Sequence, residues 1–123
     1  MFRHLNEIRT DILDNIQSVL NKYQFIISPT TICPPMPLQN EGKVIKVGEE
    51  ILDPMTNFIS FGETALANFI GYPAASIPIG YTSGNLPVGL QIMVQRYNDL
   101  SILDISSVIE DHRPWSYEHA WNR

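Results

Sequence analysis

Apolar residues recur at every third or fourth position along the first 23 residues of the chain. On an α-helix this spacing places them on one face, so the pattern predicts an amphipathic helix over residues 3–22. The apolar positions are Leu5, Ile8, Ile12, Ile16, Val19, Leu20 and Tyr23. The polar positions expected on the opposite face are Asn6, Arg9, Asp14 and Gln17.

A short apolar run at residues 25–27 comes next and is closed by Ser28 and Pro29, which predicts a buried strand. Four prolines within residues 29–41 exclude both a helix and a central strand there, so this stretch is expected to be a loop. Residues 44–47 form a second short strand candidate.

Asp53 and Pro54 have the character of a helix start, a capping carboxylate followed by the imino acid favoured in the first turn. The predicted helix runs to about Ile70, where Gly71 ends it. Gly62 is its weak point and a place where the helix can divide.

Two apolar runs, Ala74–Ile79 and Leu90–Val94, flank the turn-forming residues 82–85, and together they predict a β-hairpin. Pro78 suits a bulge or an edge strand. Asn98 and Asp99 then begin a last helix. The apolar residues expected to face inward on that helix are Leu100, Leu103, Val108 and Ile109. The order of elements indicates an α/β fold that occupies residues 1–123 as one unit.

Composition excludes several function classes. The net charge is −5 and the eight Lys and Arg are scattered, so direct nucleic-acid binding is not expected. Apolar runs are too short to span a membrane. Cys33 is the single cysteine, which rules out an internal disulfide and favours a reducing, cytoplasmic setting.

Three segments, in this order and spacing, resemble the amidase-signature family. Residues 23–31 are similar to its strand leading into a Pro-Thr loop, residues 67–80 to its Asn-x-x-Gly-x-Pro-Ala segment, and residues 84–92 to its Gly-Leu-Pro-x-Gly-Leu-Gln segment. The physical pattern agrees: Gly71 and Gly89 stand where a left-handed or closely approached backbone is useful. The resemblance extends from about residue 9 to residue 110. It implies the C-terminal portion of the amidase fold, with a mixed sheet covered by helices.

That resemblance implies hydrolysis of carbon–nitrogen amide bonds without a cofactor, by a serine nucleophile, a second serine with a cis peptide and a lysine base. The nucleophile of the family lies in a Gly-Gly-Ser-Ser-Gly-Gly-like segment, which this sequence lacks. The single serine pair, Ser106–Ser107, falls inside a predicted helix and is interpreted as a solvated or packing pair. Lys22, Lys43 and Lys46 do not match the lysine base of the family. No catalytic residue is therefore assigned, and the chain is expected to be inactive alone.

Other chemistries find no support in the spacing of the candidate residues. His4, His112 and His119 lie near the chain ends, outside any nucleophile motif, and a pairing with Cys33 is equally unsupported. His112 and His119 have no recognised metal-ligand spacing, so neither a metal site nor a cofactor is predicted.

The candidate substrate-binding residues are Thr30, Phe58 and Phe61, which the resemblance assigns to the acyl pocket. Phe61 aligns with an aspartate of the tRNA-dependent amidotransferase A subunits, and with Met55 and Phe58 it favours an amidase for apolar or aryl acyl groups. The alternative is that both phenylalanines belong to the core.

Three functions remain open at this point: a scaffold and pocket part of an amidase, a fragment of a tRNA-dependent amidotransferase A subunit, and a non-catalytic interaction protein. Because residues 25–27 and 77–79 are apolar on both sides, we expect association with a second copy or with an N-terminal amidase portion. A small amide substrate is expected only in the complete enzyme. The competing possibility is a monomer whose tail, with Trp115 and Trp121, covers the bare face.

Overall fold

The computed structural model describes residues 2–35, 45–47, 49–52 and 62–112. The helices are α1 (Phe2–Leu20), α2 (Gly62–Ile70) and α3 (Asp99–His112). The strands are β1 (Phe25–Pro29), β2 (Ile45–Val47), β3 (Glu50–Leu52), β4 (Ala74–Tyr81) and β5 (Pro87–Val94).

Strands β1, β5 and β4 form a three-stranded sheet in that order, with β5 in the centre. Both pairings are antiparallel and place Ser28, Gln91 and Ser76 side by side across the sheet. Strands β2 and β3 form a separate antiparallel pair. The predicted α/β class is confirmed, but every strand pairing within the described residues is antiparallel, so no parallel pair of a mixed sheet is found there.

Helices cover the two faces of the sheet with separate apolar clusters. On one face α1 and α2 contribute to a cluster of Leu20, Ala67, Ile70, Tyr72 and Met93. On the other face α3 packs on β4 and β5 through a cluster of Ile77, Ile92, Val94 and Ile102. Ile70, Ile92 and Val94 are fully buried, so the central strand lies between helices on both sides.

Local signals in the sequence predicted most of these elements correctly. The first helix, both strands of the hairpin and the start of the last helix are confirmed. Gly71 ends α2 with a φ of 72°, in the left-handed region that glycine adopts without strain. The hairpin turn places Asn85 at a φ of 58°, and the register of β4 shifts between Pro78 and Gly80, which confirms the bulge.

Parts of three predictions lie outside the described residues. They are the helix start at Asp53 and Pro54, the end of the proline loop and the tail containing Trp115 and Trp121. The helix predicted over residues 54–70 is described from Gly62 onward. The short strand near residue 45 is confirmed, whereas its partner β3 was not predicted.

The inward face of α3 was predicted wrongly in three of four positions. Ile102 is buried, and Ile105 and Ile109 pack beside it, whereas Leu100 is 75% exposed. Leu103 and Val108 are also exposed, at 65% and 58%. Because this helix carries apolar residues on more than one side, periodicity alone does not identify the side that meets the sheet.

Strand β1 was predicted to be buried, and it is an edge strand with one exposed face. Phe25 is 37% exposed and Ile27 is 56% exposed. Both residues point to the face covered by α3, but α3 lies over β4 and β5. The apolar run therefore predicts the strand correctly and its burial incorrectly.

Candidate hydroxyl site on the sheet

A row of hydroxyl and amide side chains crosses the face of the sheet that α2 covers. Ser28 on β1, Gln91 on β5 and Ser76 on β4 occupy matching positions in the register. Thr30 follows β1, and its backbone N–H donates to the Gly89 carbonyl at 2.9 Å. The two strands that flank β5 thus bring their hydroxyl groups together above it.

The centre of this row is a hydrogen bond between Thr30 Oγ1 and Ser76 Oγ, 2.6 Å apart. Both side chains reach across Gly89 of the central strand. A Cβ atom on Gly89 would lie 2.7 Å from Thr30 Oγ1 and 2.8 Å from Ser76 Oγ, closer than real Cβ contacts come. The two hydroxyls can therefore meet because residue 89 is a glycine. This agrees with the prediction that the backbone is closely approached at this position.

Gln91 connects the row to helix α2 through hydrogen bonds. Its side chain is buried, and its Nε2 donates to Ser28 Oγ at 3.2 Å and to the Glu63 carbonyl at 3.0 Å. Both hydrogens of the amide nitrogen thus have acceptors, as a buried donor requires. This arrangement fixes the first turn of α2 against the sheet beside the hydroxyl pair.

The arrangement is suited to binding and not to generating a nucleophile. Thr30 and Ser76 carry two hydroxyl hydrogens, and their mutual bond uses one of them. With respect to the described residues, the other hydrogen can donate to a carbonyl or carboxylate. A serine or threonine becomes nucleophilic only beside a base. Within the part of the chain that the structure describes, the hydrogen-bond partners of the row are hydroxyls, an amide and backbone carbonyls, none of which is such a base.

The Pro-Thr loop continues from this pair. Thr31 Oγ1 donates to the Cys33 carbonyl at 2.8 Å. A cavity of about 140 Å³ lies between the loop and the start of β5. It is lined by Thr31, Ile32, Cys33, Pro34, Pro87, Val88 and Gly89. This small space and the hydroxyl pair share Gly89, although Thr30 and Ser76 do not line the cavity themselves.

Of the three residues predicted to bind substrate, the structure places Thr30 in this row. Phe58 and Phe61 lie outside the described residues, so the acyl wall that they were predicted to form stays a prediction. Ser76 and Gln91 were not predicted as site residues. The signal for them was their position within the second and third family-like segments, but only the sheet register brings them next to Thr30.

Three of the residues that sequence reasoning set aside, Ser106, His112 and His4, make their contacts within their own helices. Ser106 Oγ donates to the Ile102 carbonyl of its own helix at 2.6 Å. His112 Nδ1 lies 2.8 Å from the Val108 carbonyl at the end of α3, and His4 lies near Glu7 on α1. Within the described part of the chain, no three potential metal ligands come together.

The family model described as Amidase matches residues 1–103 of the chain. The chain belongs to the amidase-signature family. Among curated relatives, the glutamyl-tRNA(Gln) amidotransferase A subunit of Thermodesulfovibrio yellowstonii is 32% identical, over 93% of this chain and 22% of that protein. The corresponding A subunit of Legionella pneumophila is 33% identical, again over 93% and 22%.

Two solved structures resemble the fold. The glutamyl-tRNA(Gln) amidotransferase A subunit of Thermotoga maritima matches with a TM-score of 0.77 and 30% identity. The match covers 97% of this chain and 24% of the Thermotoga maritima chain. A bacterial aryl acylamidase matches with a TM-score of 0.78 and 32% identity, covering 94% and 24%. The chain thus spans about a quarter of the length of these relatives. Among the described residues, no helix is long and apolar enough to cross a membrane.

Proposed function

We propose that this chain is the scaffold and substrate-pocket part of an amidase that hydrolyses carbon–nitrogen amide bonds. The observation that carries the proposal is the contact of Thr30, Ser76 and Gly89. Each of these residues belongs to a different one of the three family-like segments, and the fold joins the segments at one point. A neutral hydroxyl donor beside an apolar cavity suits an uncharged amide or its acyl group.

The serine nucleophile and the lysine base would come from a catalytic portion outside these 123 residues. The sequence has no Gly-Gly-Ser-Ser segment, and the hydroxyl row has no base among its partners in the described ranges. We therefore expect the isolated chain to have no amidase activity. A reducing, cytoplasmic setting for this chain is part of the proposal, and the single cysteine of its sequence supports it.

The test is an assay of the purified chain with aliphatic and aryl amides, alone and together with the catalytic portion of an amidase-signature relative. We expect turnover only in the second case. Turnover by the isolated chain that disappears when Thr30 or Ser76 is replaced would contradict the proposal.

A second candidate is a part of a tRNA-dependent amidotransferase A subunit. It is favoured by the curated relatives, which are A subunits of glutamyl-tRNA(Gln) amidotransferases and are 32–33% identical. Similar identity to an aryl acylamidase supports the first candidate. Co-expression with the catalytic portion of each kind of relative distinguishes them, because one complex would release ammonia from glutamine and the other would cleave aryl amides.

A non-catalytic interaction protein is the third possibility, and the exposed leucines of α3 are the feature that favours it. Leu100 and Leu103 are 75% and 65% exposed. If this function were correct, replacing both with serine would abolish binding to a partner, and no catalytic portion of any relative would restore amide hydrolysis.

A further inference from the structure

We propose that the side of helix α3 turned away from the sheet is a docking surface for a basic amphipathic helix of a partner protein. We call this surface the outer face of α3, and it consists of the exposed residues Leu100, Leu103, Asp104, Val108 and Asp111. The inference goes beyond the proposed function, because α3 packs on the side of the sheet opposite the hydroxyl row. It rests on the exposed apolar side chains of this face, on its charge and on its place in the layers of the fold.

Large apolar side chains on the outer face of α3 lie in solvent. Leu100 is 75% exposed, Leu103 is 65% exposed and Val108 is 58% exposed. Leu100 and Leu103 are three residues apart, which makes them neighbours on the helix surface. A single exposed apolar residue is ordinary on a protein surface, whereas several together on one helix are typical of an interaction site.

The chain enters α3 through Tyr97, whose side chain is 97% exposed. Its φ of 65° lies in the left-handed region, which bulky residues seldom adopt. Residues held in such conformations cluster at functional sites, and tyrosine is enriched at protein interfaces. Tyr97 therefore supplies a further large contact residue next to the start of the outer face.

The charge of this helix has one sign at neutral pH. Helix α3 contains no lysine or arginine, and its four carboxylates are Asp99, Asp104, Glu110 and Asp111. Within the described residues, the salt bridges lie on α1, so no lysine or arginine there pairs with these carboxylates. Unpaired carboxylates beside exposed leucines complement a helix whose apolar side chains are flanked by lysine or arginine.

Elements that extend the sheet would not bury the outer face. In a sheet covered by helices, one side of each helix meets the sheet and the other side forms the outside of the layered structure. Ile102, Ile105 and Ile109 form the side of α3 that packs toward β4 and β5. The exposed leucines lie on the opposite side, so a further element must pack on the outside of α3 to cover them.

A second copy of the chain fits the outer face less well than a basic helix does. Pairing of two α3 helices would bring the carboxylates of one copy beside those of the other, and like charges repel. A partner helix with lysine or arginine gains an attraction at the same positions. The face therefore favours a basic partner by its charge and provides the leucines for apolar contact.

The experiment measures the binding of a fluorescein-labelled leucine–lysine peptide to the full chain by fluorescence anisotropy. The peptide has about 14 residues with its leucines at helical spacing, so that it can lie along the 14 residues of α3. A leucine–glutamate peptide with the same leucine pattern measures the contribution of charge. A lysine–serine peptide without leucine measures the general attraction of a basic peptide to an acidic chain.

The combined substitution of Leu100→Ser and Leu103→Ser tests the apolar part of the face. We expect it to weaken binding of the leucine–lysine peptide by about tenfold or more, because the buried apolar area is lost. Ile51→Ser is the matched control, since Ile51 is 68% exposed but lies on β3, and it should change the affinity by less than about twofold. Circular dichroism should be the same for all these variants, because the three positions lie outside the core clusters.

The combined substitution of Asp104→Asn and Asp111→Asn tests the charge of the face. We expect it to weaken binding about threefold or more and to reduce the dependence of the affinity on salt concentration. Asp14→Asn is the matched control, because Asp14 is an exposed carboxylate on α1, and it should leave both quantities nearly unchanged. The leucine–glutamate and lysine–serine peptides should each bind at least about tenfold more weakly than the leucine–lysine peptide.

Several results would overturn the proposal. They are absence of binding, binding that the leucine variant leaves unchanged, and equal affinity for the leucine–glutamate peptide. Self-association of the chain that the leucine variant abolishes would assign the face to a second copy. Binding that appears only when Trp115 and Trp121 are replaced by serine would assign it to the tail of the chain itself. None of these measurements involves amide hydrolysis, so failure of the docking surface leaves the proposed function intact.

Discussion

Thr30 Oγ1 and Ser76 Oγ lie 2.6 Å apart although 46 residues separate them in sequence, and they meet above the backbone of Gly89. Thr30 follows one edge strand of the sheet, Ser76 belongs to the other, and Gly89 lies in the strand between them. The pair can form because the central strand has no side chain at this position. The fold thereby joins three distant segments of the sequence at one polar point.

Gly89→Ala is expected to destabilise the fold. The added Cβ would meet both hydroxyls at less than 3.0 Å, and neither belongs to a flexible side chain. Overpacking of this kind costs about 1–3 kcal/mol. Gly62→Ala is the control, because nothing lies within 4 Å of a Cβ built there. Urea denaturation measures both, and equal midpoints would show that the close approach is not a constraint.

In a reconstituted enzyme, Thr30→Val is expected to raise KM for an amide substrate and leave kcat nearly unchanged. The substitution keeps the shape of the side chain but removes the hydroxyl that binds Ser76. Loss of one hydrogen bond of about 0.5–1.5 kcal/mol corresponds to an increase in KM of roughly 2- to 13-fold. Thr10→Val is the control, since Thr10 Oγ1 donates to the Asn6 carbonyl within α1. An equal effect of both variants would remove Thr30 from the site.

Gln91→Glu is expected to destabilise the protein at neutral pH and much less under acidic conditions. The introduced carboxylate would face the Glu63 carbonyl and Ser28 where an amide now donates. Burial beside a carbonyl raises the pKa of the introduced carboxyl in the folded state. The penalty, about 2 kcal/mol or more, therefore grows as pH rises above the unfolded pKa of about 4.3 and is smallest below it.

Thermal unfolding between pH 4 and 8 checks this prediction. Gln95→Glu is the matched control, because Gln95 is exposed. A loss of stability in Gln91→Glu that is the same at every pH would indicate that the new carboxyl is not held against the Glu63 carbonyl.

Arg96→Ala is expected to loosen the end of helix α2. Arg96 Nε donates to the Gly71 carbonyl at 3.1 Å, its Nη2 contacts the Ile70 carbonyl, and its guanidinium lies 5.3 Å from the Tyr72 ring centroid. These contacts satisfy helix carbonyls that have no intrahelical partner. Their removal should cost about 1–3 kcal/mol by denaturant titration.

The control for Arg96 is Arg3, whose side chain is 95% exposed and lies 3.7 Å from Glu7. Arg3→Ala should leave the unfolding midpoint unchanged, as is usual for exposed ion pairs. Arg9 Nε also donates to this helix end, at the Phe69 carbonyl, so the Arg9 and Arg96 substitutions should not be additive. Strict additivity would show that the two arginines act independently.

Asn85→Val is expected to destabilise the hairpin, because Asn85 has a φ of 58° and a β-branched residue is poorly accommodated there. A cost of about 1–2 kcal/mol is expected. Asn85→Gly should be neutral or slightly stabilising, since glycine adopts this conformation without strain. If valine and glycine gave the same stability, the turn would not impose the left-handed conformation.

Local sequence signals identified elements whose causes are local. The amphipathic spacing of α1, the turn residues before Leu86 and the stop at Gly71 each depend on residues within a few positions of one another. Contacts between distant segments were missed for the opposite reason. Arg9 was assigned to the polar outer face of α1, yet its guanidinium reaches the carbonyls at the end of α2.

The sequence by itself determined the family, the order of the helices and of the strands other than β3, and Thr30 as a candidate site residue. Tertiary structure decided that Ile102, and not Leu100, faces the sheet, that β1 is an edge strand, and that Ser76 and Gln91 share a row with Thr30. The spacing of apolar residues shows which positions lie on the same face of one helix or strand, because the regular backbone of that element sets the direction of each side chain. Which of them are buried depends on the element that packs against them, and sheet register alone fixes which distant side chains meet.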